Sequence, residues 1–369
     1  MPLKKRVLVP AAAAVAAASL LAAPAAAPSP AAAAPPAAAR PAANPAFDFS
    51  RPEVVASGLT VPWGLAFLPD GSALVSERVS ARILRLSPGS APVEVAKLSG
   101  VQARGESGLL GIAVSPTYAE DKYVYAYYTS ASDNRIVRFK LAASPQQEVL
   151  LSGIPKNTFH DGGRIQFGPD GLLYASTGDA GQSANAQNPA TPAGKILRMR
   201  PDGSPAPGNP DPKTVVYSLG HRNVQGLAWG GGHMYASEFG QDTWDEVNHI
   251  VAGGNYGWPK VEGPGGPPTY IAPIATWHTK EASPSGAAVA GDTLYTAALA
   301  GKRLWLVPLD GKGGSSGTPT AVLQGTYGRL RTVAVGPDGW LWLTTSNRDG
   351  RGSPAATDDR ILRFPPIRR

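Results

Sequence analysis

Clusters of polar side chains stand directly before several short apolar segments of this sequence, and their types suit acid–base and anion-binding chemistry. In GHRNVQGLAW, His221, Arg222 and Asn223 precede the apolar run that begins at Gln225. His160 holds a similar position and is followed by Asp-Gly-Gly. An imidazole titrates near neutral pH, and a guanidinium group binds a carboxylate through two parallel hydrogen bonds. These residue types are expected where a proton is moved and an anion is held.

The positions of these residues relative to one another follow from six repeated segments of the sequence. The repeats begin with a short apolar strand, and three copies end in Pro-Asp-Gly, which favours a hairpin turn. The copies are WGLAFLPDG, GLLGIAVSP, GRIQFGPDG, QGLAWGGG, SGAAVAGD and RTVAVGPDG. A second apolar strand and a third strand follow each copy, and the third alternates between apolar and polar residues. Equivalent positions recur every 46–62 residues, the size of four strands with their loops.

Six such units predict an all-β fold, a six-bladed β-propeller of four-stranded antiparallel blades. Closing the ring removes the exposed edge that an open stack would leave. The N-terminal strand in RPEVVASGL is placed to complete the last blade. A seven-bladed propeller with one decayed copy is the alternative, although the sequence supplies no seventh repeat.

The first strand of each propeller blade lines the central channel, so the residues that precede the six first strands meet at one mouth. Four of the six repeats carry charge there, in segments 104–107, 159–164, 221–223 and 329–331. The mouth is expected to be rich in guanidinium groups and to suit a planar anion with several carboxylates. Among the five histidines, His160 is the best candidate for a general base. A channel of structural polar side chains around water is the alternative.

The N-terminal residues differ in composition from the rest of the chain. Residues 1–27 combine a basic start with an apolar, Ala-rich run and predict a secretory signal peptide. Residues 28–46 are almost all Ala and Pro and predict a disordered linker, whereas residues 47–369 form the propeller domain. We therefore expect a protein secreted to the extracellular space or cell envelope, with no membrane span in its mature form. The absence of cysteine excludes disulfides and thiolate chemistry.

The formal charge of +7 gives little support for nucleic-acid binding. Four cations and no acid lie in residues 1–46, which leaves +3 for the remainder. No run of five or more basic residues occurs. A mildly basic, solvated surface is expected.

Five segments resemble the soluble quinoprotein glucose/sorbosone dehydrogenase family, and more closely its periplasmic aldose sugar dehydrogenases. They are GESGLLGIAVSP, HDGGRIQFGPDGLLYASTGD, GHRNVQGLAW, SEFGQDTWDEVNHIVAGGNYGWP and GRLRTVAVGPDG. The resemblance covers nearly the whole chain after residue 50. It implies a six-bladed propeller, in agreement with the repeat count. It also implies pyrroloquinoline quinone (PQQ) bound over calcium, oxidation of the C1 hydroxyl of aldoses to lactones, and an external electron acceptor.

The resemblance implies roles for the residues at the channel mouth. His160 matches the base that removes the sugar hydroxyl proton as hydride moves to the quinone. Arg222 and Asn223 match the pair that contacts quinone and substrate oxygens and stabilises the charge that develops there. Glu106 stands where the family places Gln or Glu near the substrate. Two arginines match those that hold the cofactor carboxylates, namely Arg329 and Arg331.

Calcium ligands are implied by the same resemblance. Calcium prefers carboxylate and carbonyl oxygens. The resemblance offers the carbonyls of Gly240 and Gln241 beside the cofactor, and Glu246 with the carbonyl of Tyr256. A turn cap formed by Asp245 and Glu246 is the alternative.

One position departs from the family pattern. In the fifth repeat the family places a lysine that faces the cofactor carboxylates, whereas this chain has Ala300 in the segment ALAGKR. Loss of one cation from a tricarboxylate site is expected to cost about 1.5–3 kcal/mol of charge-assisted hydrogen bonding. Lys302 is a compensating cation if the turn is shifted.

Three functions remain open at the level of sequence. The first is a secreted, PQQ- and calcium-dependent aldose dehydrogenase, and the second is a calcium-dependent propeller lactonase without a redox cofactor. The third is a non-catalytic propeller that binds a glycan or an acidic partner, which Ala300 would favour. The arginine-rich mouth favours the dehydrogenase, because a neutral lactone has no use for several guanidinium groups. The preferred aldose, the natural acceptor and the oligomeric state are not determined.

Overall fold

A computed structural model of the protein describes residues 46–367. The predicted signal peptide and nearly all of the predicted linker lie outside the described residues. Between residues 46 and 367 the chain forms six sheets, each of four antiparallel strands. The six sheets are the blades of a propeller, which confirms the predicted fold, and the described part contains no seventh sheet.

Blades 1 to 3 are built from consecutive strands that follow one another from the channel outward. Blade 1 contains β2 (Pro62–Phe67), β3 (Ala73–Glu77), β4 (Arg82–Leu86) and β5 (Val93–Lys97). Blade 2 contains β6 (Leu109–Val114), β7 (Tyr123–Thr129), β8 (Asn134–Lys140) and β9 (Glu148–Ile154). Blade 3 contains β10 (Ile165–Phe167), β11 (Leu173–Ser176), β12 (Lys195–Met199) and β13 (Val216–Leu219).

Blades 4 and 5 follow the same order, and blade 6 combines the two ends of the described chain. Blade 4 contains β14 (Val224–Gly230), β15 (His233–Glu238), β16 (Trp244–Ile250) and β17 (Ala275–His278). Blade 5 contains β18 (Pro284–Ala290), β19 (Thr293–Ala298), β20 (Arg303–Pro308) and β21 (Thr320–Val322). Blade 6 contains β22 (Leu330–Val335), β23 (Leu341–Thr345), β24 (Ile361–Phe364) and β1 (Glu53–Ala56).

The outer strand of blade 6 comes from the N-terminal side, as predicted. Strand β1 pairs antiparallel with β24, with Val54 opposite Leu362. The ring is also closed near the axis, where the Thr332 hydroxyl donates to the Trp63 carbonyl at 2.6 Å. The first and last blades are thus joined by this inner contact and by the chain itself, which runs from β1 in blade 6 into β2 in blade 1.

Helix is nearly absent from the described residues. It is limited to α1 (Tyr118–Asp121) and a 3₁₀ turn (Ser183–Gln187). Between residues 46 and 367, no helix has the length and apolar character needed to cross a membrane.

The inner strands approach one another closely around the axis, and their composition reflects this crowding. A Cβ at Gly226 would overlap the Ser285 carbonyl of the next blade, and one at Gly111 would overlap the Gly163 carbonyl. Only glycine permits such a close approach of two backbones. The glycine that recurs in the repeats WGLAF, LLGIAV, QGLAW and SGAAV is therefore a packing requirement.

Buried serines near the ends of second strands connect neighbouring blades. Each hydroxyl donates to a carbonyl on the first strand of the following blade, which satisfies a polar group that would otherwise be buried unpaired. The pairs are Ser76 with Leu110, Ser176 with Val224, and Ser237 with Ser285.

Five of the six inner strands contain a β-bulge close to the channel mouth. A bulge turns a side chain away from the direction that strict alternation would give it. In β14 the bulge lies between Val224 and Gly226, and in β22 it lies between Leu330 and Val333. It is these irregularities that place Gln225 in contact with Arg331 inside the channel.

Candidate functional site

A cavity of about 320 Å³ opens at the mouth where the residues preceding the first strands converge. Its volume is within the range of small-molecule pockets, roughly 300–1,000 Å³. Three of the predicted site residues line it, namely Glu106, Arg329 and Arg331, and so does the position of Ala300. Blades 1, 2, 4, 5 and 6 all contribute to its wall.

A larger cavity, about 560 Å³, lies at the opposite end of the inner strands. Its lining is mostly apolar and includes no histidine or carboxylate; Arg164 is its one charged residue. Of these two cavities, only the first is therefore lined by carboxylates that could take part in chemistry.

Two of the arginines in the first cavity are fixed by one carboxylate. Arg329 donates through Nε and Nη2 to Asp349 Oδ2, both at 2.9 Å, and Arg331 Nη2 lies 3.6 Å from the same oxygen. Arg331 also donates to Gln225 Oε1 at 3.1 Å. Burial raises the pKa of Asp349, but the two guanidinium groups outweigh this effect and bring the pKa below its ordinary value. Asp349 is therefore ionised and preorganises both arginines.

The cavity carries more positive than negative charge. Four guanidinium groups line it, from Arg78, Arg329, Arg331 and Arg351, whereas Glu106 and Asp349 supply the carboxylates. Burial lowers the pKa of Arg78, whose Nε is buried and has no hydrogen-bond partner among residues 46–367. An unpaired, desolvated guanidinium nitrogen is costly unless an acceptor reaches it. The cavity is thus suited to an anion with several carboxylates.

His160 forms a hydrogen-bonded unit with two residues from other segments. Its Nδ1 lies 2.7 Å from Asp179 Oδ1, and Asp179 Oδ2 accepts from Trp258 Nε1 at 2.9 Å. Burial raises the pKa of Asp179, but the hydrogen bonds from His160 and Trp258 bring the pKa below its ordinary value. An ionised carboxylate only accepts, so Nδ1 carries the proton, and the neutral imidazole then has its lone pair on Nε2. The arrangement is that of a general base oriented by a carboxylate.

The backbone around His160 is specialised for this position. His160 has φ +60°, and a Cβ at Gly178 would overlap the His160 carbonyl. Glycine at position 178 therefore allows the turn that carries Asp179 to lie against His160. The His160 amide donates to Glu106 Oε2 at 3.2 Å, which connects His160 to the wall of the arginine cavity.

Arg222 and Asn223 lie on the blade 4 side of the same mouth. Arg222 donates to Gln241 Oε1 through Nε at 3.0 Å and Nη2 at 2.7 Å, and to the Phe239 carbonyl through Nη1 at 3.1 Å. Asn223 Oδ1 accepts from the Gly162 amide at 3.1 Å, whereas its buried Nδ2 has no partner among the described residues. Neither residue lines the 320 Å³ cavity, but Phe239, which Arg222 contacts, does.

A third, very small cavity of about 10 Å³ adjoins Arg222. Three carboxylates line it, those of Glu238, Glu246 and Glu262, together with Gly240 and Tyr256. Its volume is about the smallest that holds one water molecule or a single ion. Burial, and next the charge of Glu238, raise the pKa of Glu246 to about 8.

The predicted calcium ligands lie around this small cavity, with one difference. Gly240, Glu246 and Tyr256 line it, whereas Gln241 does not. Among residues 46–367, no group of three or more His, Cys, Asp or Glu side chains has the arrangement of a metal site. Any cation held here would therefore need backbone carbonyls as ligands in addition to carboxylates.

Glu262 was not predicted from the sequence, but it shapes this region. Its Oε1 accepts four successive backbone N–H groups, those of residues 241–244, at 2.8–3.0 Å. Burial raises its pKa, and these four bonds outweigh that effect and lower the pKa overall. The carboxylate thereby fixes the turn that contains Gly240 and Gln241.

Sequence reasoning missed several residues that line the arginine cavity or contact His160, and they share one location. They follow the second strand of a blade, in the turn toward the third strand, and they are Arg78, Asp179, Phe239, Asp349 and Arg351. In a four-stranded up-and-down blade, this turn and the start of the first strand lie at the same end. The sequence signal was thus present in ALVSER, LLYASTGD and LWLTTSNRDGR.

The fifth blade supplies no cation to the cavity. Ala300 is exposed and lines the wall beside Leu299 and Ser283. Lys302 is exposed on the same turn but is not among the residues that line the cavity.

The chain is similar to known proteins along most of its length. The sequence model of the family described as Glucose / Sorbosone dehydrogenase matches residues 59–362. A PQQ-bound aldose sugar dehydrogenase from Streptomyces coelicolor has 51% identity and a TM-score of 0.81, over 87% of this chain and 99% of that one. An oxidoreductase from Thermus thermophilus, described as a glucose dehydrogenase, has 47% identity and a TM-score of 0.79, over 85% and 99% of the two chains.

A more distant relative matches this chain over a similar length. The aldose sugar dehydrogenase YliI of Escherichia coli is 27% identical over 344 residues, which are 81% of this chain and 90% of the relative. The family match extends from just before the first strand of blade 1 into the last strand of blade 6. The chain therefore belongs to the glucose/sorbosone dehydrogenase family of oxidoreductases.

Proposed function

We propose that this protein is an exported, PQQ-dependent aldose sugar dehydrogenase that oxidises the C1 hydroxyl of aldoses to lactones. The observation that carries the proposal is the cavity with four guanidinium groups beside the His160–Asp179 pair. A PQQ-bound relative with 51% identity supports the choice of cofactor. The predicted signal in residues 1–27 supports export.

The residues of the cavity fit a tricarboxylate. Arg329 and Arg331 would hold cofactor carboxylates, and Arg78 has a buried nitrogen without an acceptor in the described part of the chain. Arg222 and the Asn223 amide would donate to the ring oxygens and substrate oxygens on the blade 4 side. When bound, an ortho-quinone supplies the acceptor for the hydride and its two electrons.

His160 acts on the substrate in this proposal. Oxidation at C1 removes a proton from the hydroxyl and a hydride from the carbon, and His160 Nε2 takes the proton. Asp179 then stabilises the imidazolium through the 2.7 Å bond to Nδ1, and Trp258 holds Asp179 in place. Glu106, beside the His160 amide, would accept a hydrogen bond from a sugar hydroxyl.

Calcium is the second proposed ligand, at the small cavity of blade 4. Glu246 and the carbonyls of Tyr256 and Gly240 would hold it, and three buried or partly buried carboxylates around this small space fit a divalent cation. A bound calcium ion would supply fixed positive charge beside Arg222. Calcium is expected to raise the melting temperature of the wild type, because a ligand that binds only the folded state stabilises it. Glu246→Gln is expected to remove this effect.

The deciding experiment uses the purified protein with PQQ, calcium, a series of aldoses and a dye acceptor. Dye reduction that requires both PQQ and an aldose, with lactone as the product, is the expected result. No dye reduction with any aldose would reject the proposal. Hydrolysis of a lactone that is unaffected by PQQ and abolished by a chelator would instead support the lactonase. Sugar binding without turnover would support a binding propeller.

A further inference from the structure

Arg351 differs from the other three arginines of the cavity in its exposure and in its partner. Its side chain is 61% exposed, whereas Arg78, Arg329 and Arg331 are buried. It forms an ion pair with Glu106, with Nη1 3.1 Å from Oε1. Glu106 lies before blade 2 and Arg351 lies in the β23–β24 loop of blade 6, so this pair spans the blade 1 side of the mouth.

The loop that carries Arg351 is anchored below its tip. The Arg351 amide donates to Asp349 Oδ1 at 2.9 Å, while the other oxygen of Asp349 holds Arg329. At the tip, Gly350 has φ +89°, and a Cβ there would meet no atom within 4 Å. The Arg351 backbone is thus fixed relative to the buried arginines, and only its long side chain extends over the cavity.

The opposite wall of the cavity, formed by blade 5, offers no cation to a bound anion. Blade 5 contributes Ser283, Leu299 and Ala300 to the cavity, and none of them is charged. All four guanidinium groups come from blades 1 and 6. Of these four side chains, only that of Arg351 is exposed. It can therefore move its charge without disturbing the core.

We propose that Arg351 exchanges partners: it leaves Glu106 and pairs with a carboxylate of the cofactor, which frees Glu106 for the sugar. This inference rests on the proposed function. The pair is open to solvent on the Arg351 side, whereas the Glu106 side chain is 15% exposed and keeps the His160 amide as a donor, so loss of the pair costs little. A cofactor carboxylate in the cavity offers Arg351 a second charge-assisted partner of the same kind. The exchange makes cofactor binding precede sugar binding, because Glu106 is occupied by Arg351 until the cofactor arrives.

The first test is the dissociation constant of PQQ for the apoprotein, measured by fluorescence titration in calcium buffer. Arg351→Gln is expected to weaken PQQ binding about 10-fold to 100-fold, the effect of losing one charge-assisted hydrogen bond. Lys302→Gln removes an exposed cation that does not line the cavity and is the matched control, with unchanged affinity expected. Adding Ala300→Lys to the Arg351→Gln variant should restore part of the affinity from the blade 5 wall.

The second test is a double-mutant cycle with Glu106→Gln. Removing Glu106 releases Arg351, so PQQ should bind more tightly in the wild-type background. In the Arg351→Gln background the gain should be smaller, because only the general repulsion between Glu106 and the anion remains. Equal gains in both backgrounds would contradict the exchange.

The outcomes separate this inference from the proposed function. Wild type that binds PQQ, with Arg351→Gln and Arg351→Lys binding equally well, overturns the inference and leaves the function intact. Wild type that shows no PQQ binding overturns both. Because Arg351 is exposed, both variants are expected to melt at the wild-type temperature, which thermal unfolding checks.

Discussion

At the residue scale, two histidines with similar sequence positions have different surroundings. His160 and His221 both precede a first strand, and each Nδ1 is bound to a carboxylate. His221 is fully buried, and its Nε2 is also bound, at 2.9 Å from the Ser218 hydroxyl. The His160 side chain is 12% exposed, and its Nε2 has no partner in residues 46–367. The second contact of the ring thus distinguishes a candidate base from a structural histidine.

His160→Ala is expected to lower kcat roughly 10²- to 10⁴-fold, because a positioned base is lost. The dissociation constant of PQQ should stay at the wild-type value, since His160 does not line the arginine cavity. Steady-state kinetics with saturating PQQ and a fluorescence titration measure the two quantities. His233→Ala, at the other end of blade 4, serves as the control. Wild-type kcat in the His160 variant would exclude it as the base.

His221→Ala is expected to act on stability instead. Its ring stacks on Tyr256 at 4.7 Å between centroids and pairs with Glu238 Oε2, so its loss leaves a cavity and one buried carboxylate oxygen without a partner, while Oε1 keeps the Arg222 amide. The free energy of unfolding should fall by about 2–5 kcal/mol. Urea denaturation gives this value. An unchanged stability with a large loss of kcat would mean that His221, too, belongs to the reaction.

At the scale of elements, the turns between second and third strands carry as much of the site as the starts of the first strands. The longest of these turns, residues 177–194, belongs to blade 3 and holds Asp179 against His160. This turn is fixed by Lys195, whose buried Nζ donates to the carbonyls of Asn185, Ala186 and Ala193 at 2.7–3.1 Å. The lysine side chain thus satisfies carbonyl groups within and after the 3₁₀ turn Ser183–Gln187.

Lys195→Met is expected to destabilise the fold, and increasingly so at alkaline pH. Burial lowers the pKa of Lys195 to about 8, whereas an unfolded lysine has a pKa of roughly 10.4. Between these values the unfolded chain binds a proton that the folded wild type has released, so wild-type stability gains from rising pH, and the variant lacks this gain. Urea denaturation at several values between pH 7.5 and pH 10 measures the difference. A difference that is constant across this range would contradict the assignment.

At the scale of the whole molecule, the ring is closed by a strand from the other end of the chain. Val55 and Ala56 of β1 pack in the same cluster as Trp342 of blade 6 and Leu65 of blade 1. The strand therefore connects the first and last blades through packing as well as through pairing with β24. Because the site is assembled from several blades, its geometry depends on this closure.

A chain that begins at residue 58 lacks β1 and is expected to melt at a lower temperature and to aggregate on heating, because β24 becomes an unpaired edge. A chain that begins at residue 46 retains β1 and is the control; it should behave as the full-length protein. Thermal unfolding with light scattering compares the three. Equal melting temperatures for the chains that begin at 46 and 58 would show that the inner contacts alone close the ring.

The sequence by itself determined the number of blades, the inner strands and the use of β1, because period-two alternation and repeated turns are local properties of a chain. It also singled out His160, Arg329 and Arg331, which stand before or at the start of first strands, and their roles stay predictions.

Only the tertiary structure decided which side chains share a cavity. Arg78, Asp349 and Arg351 follow second strands at distances that differ between blades, and Glu262 lies in a long loop, so the repeat does not show that their side chains share a cavity. Bulges turn Arg331 and Gln225 into the channel, and a glycine at position 178 brings Asp179 to His160. These placements depend on contacts between blades, which a local pattern does not encode.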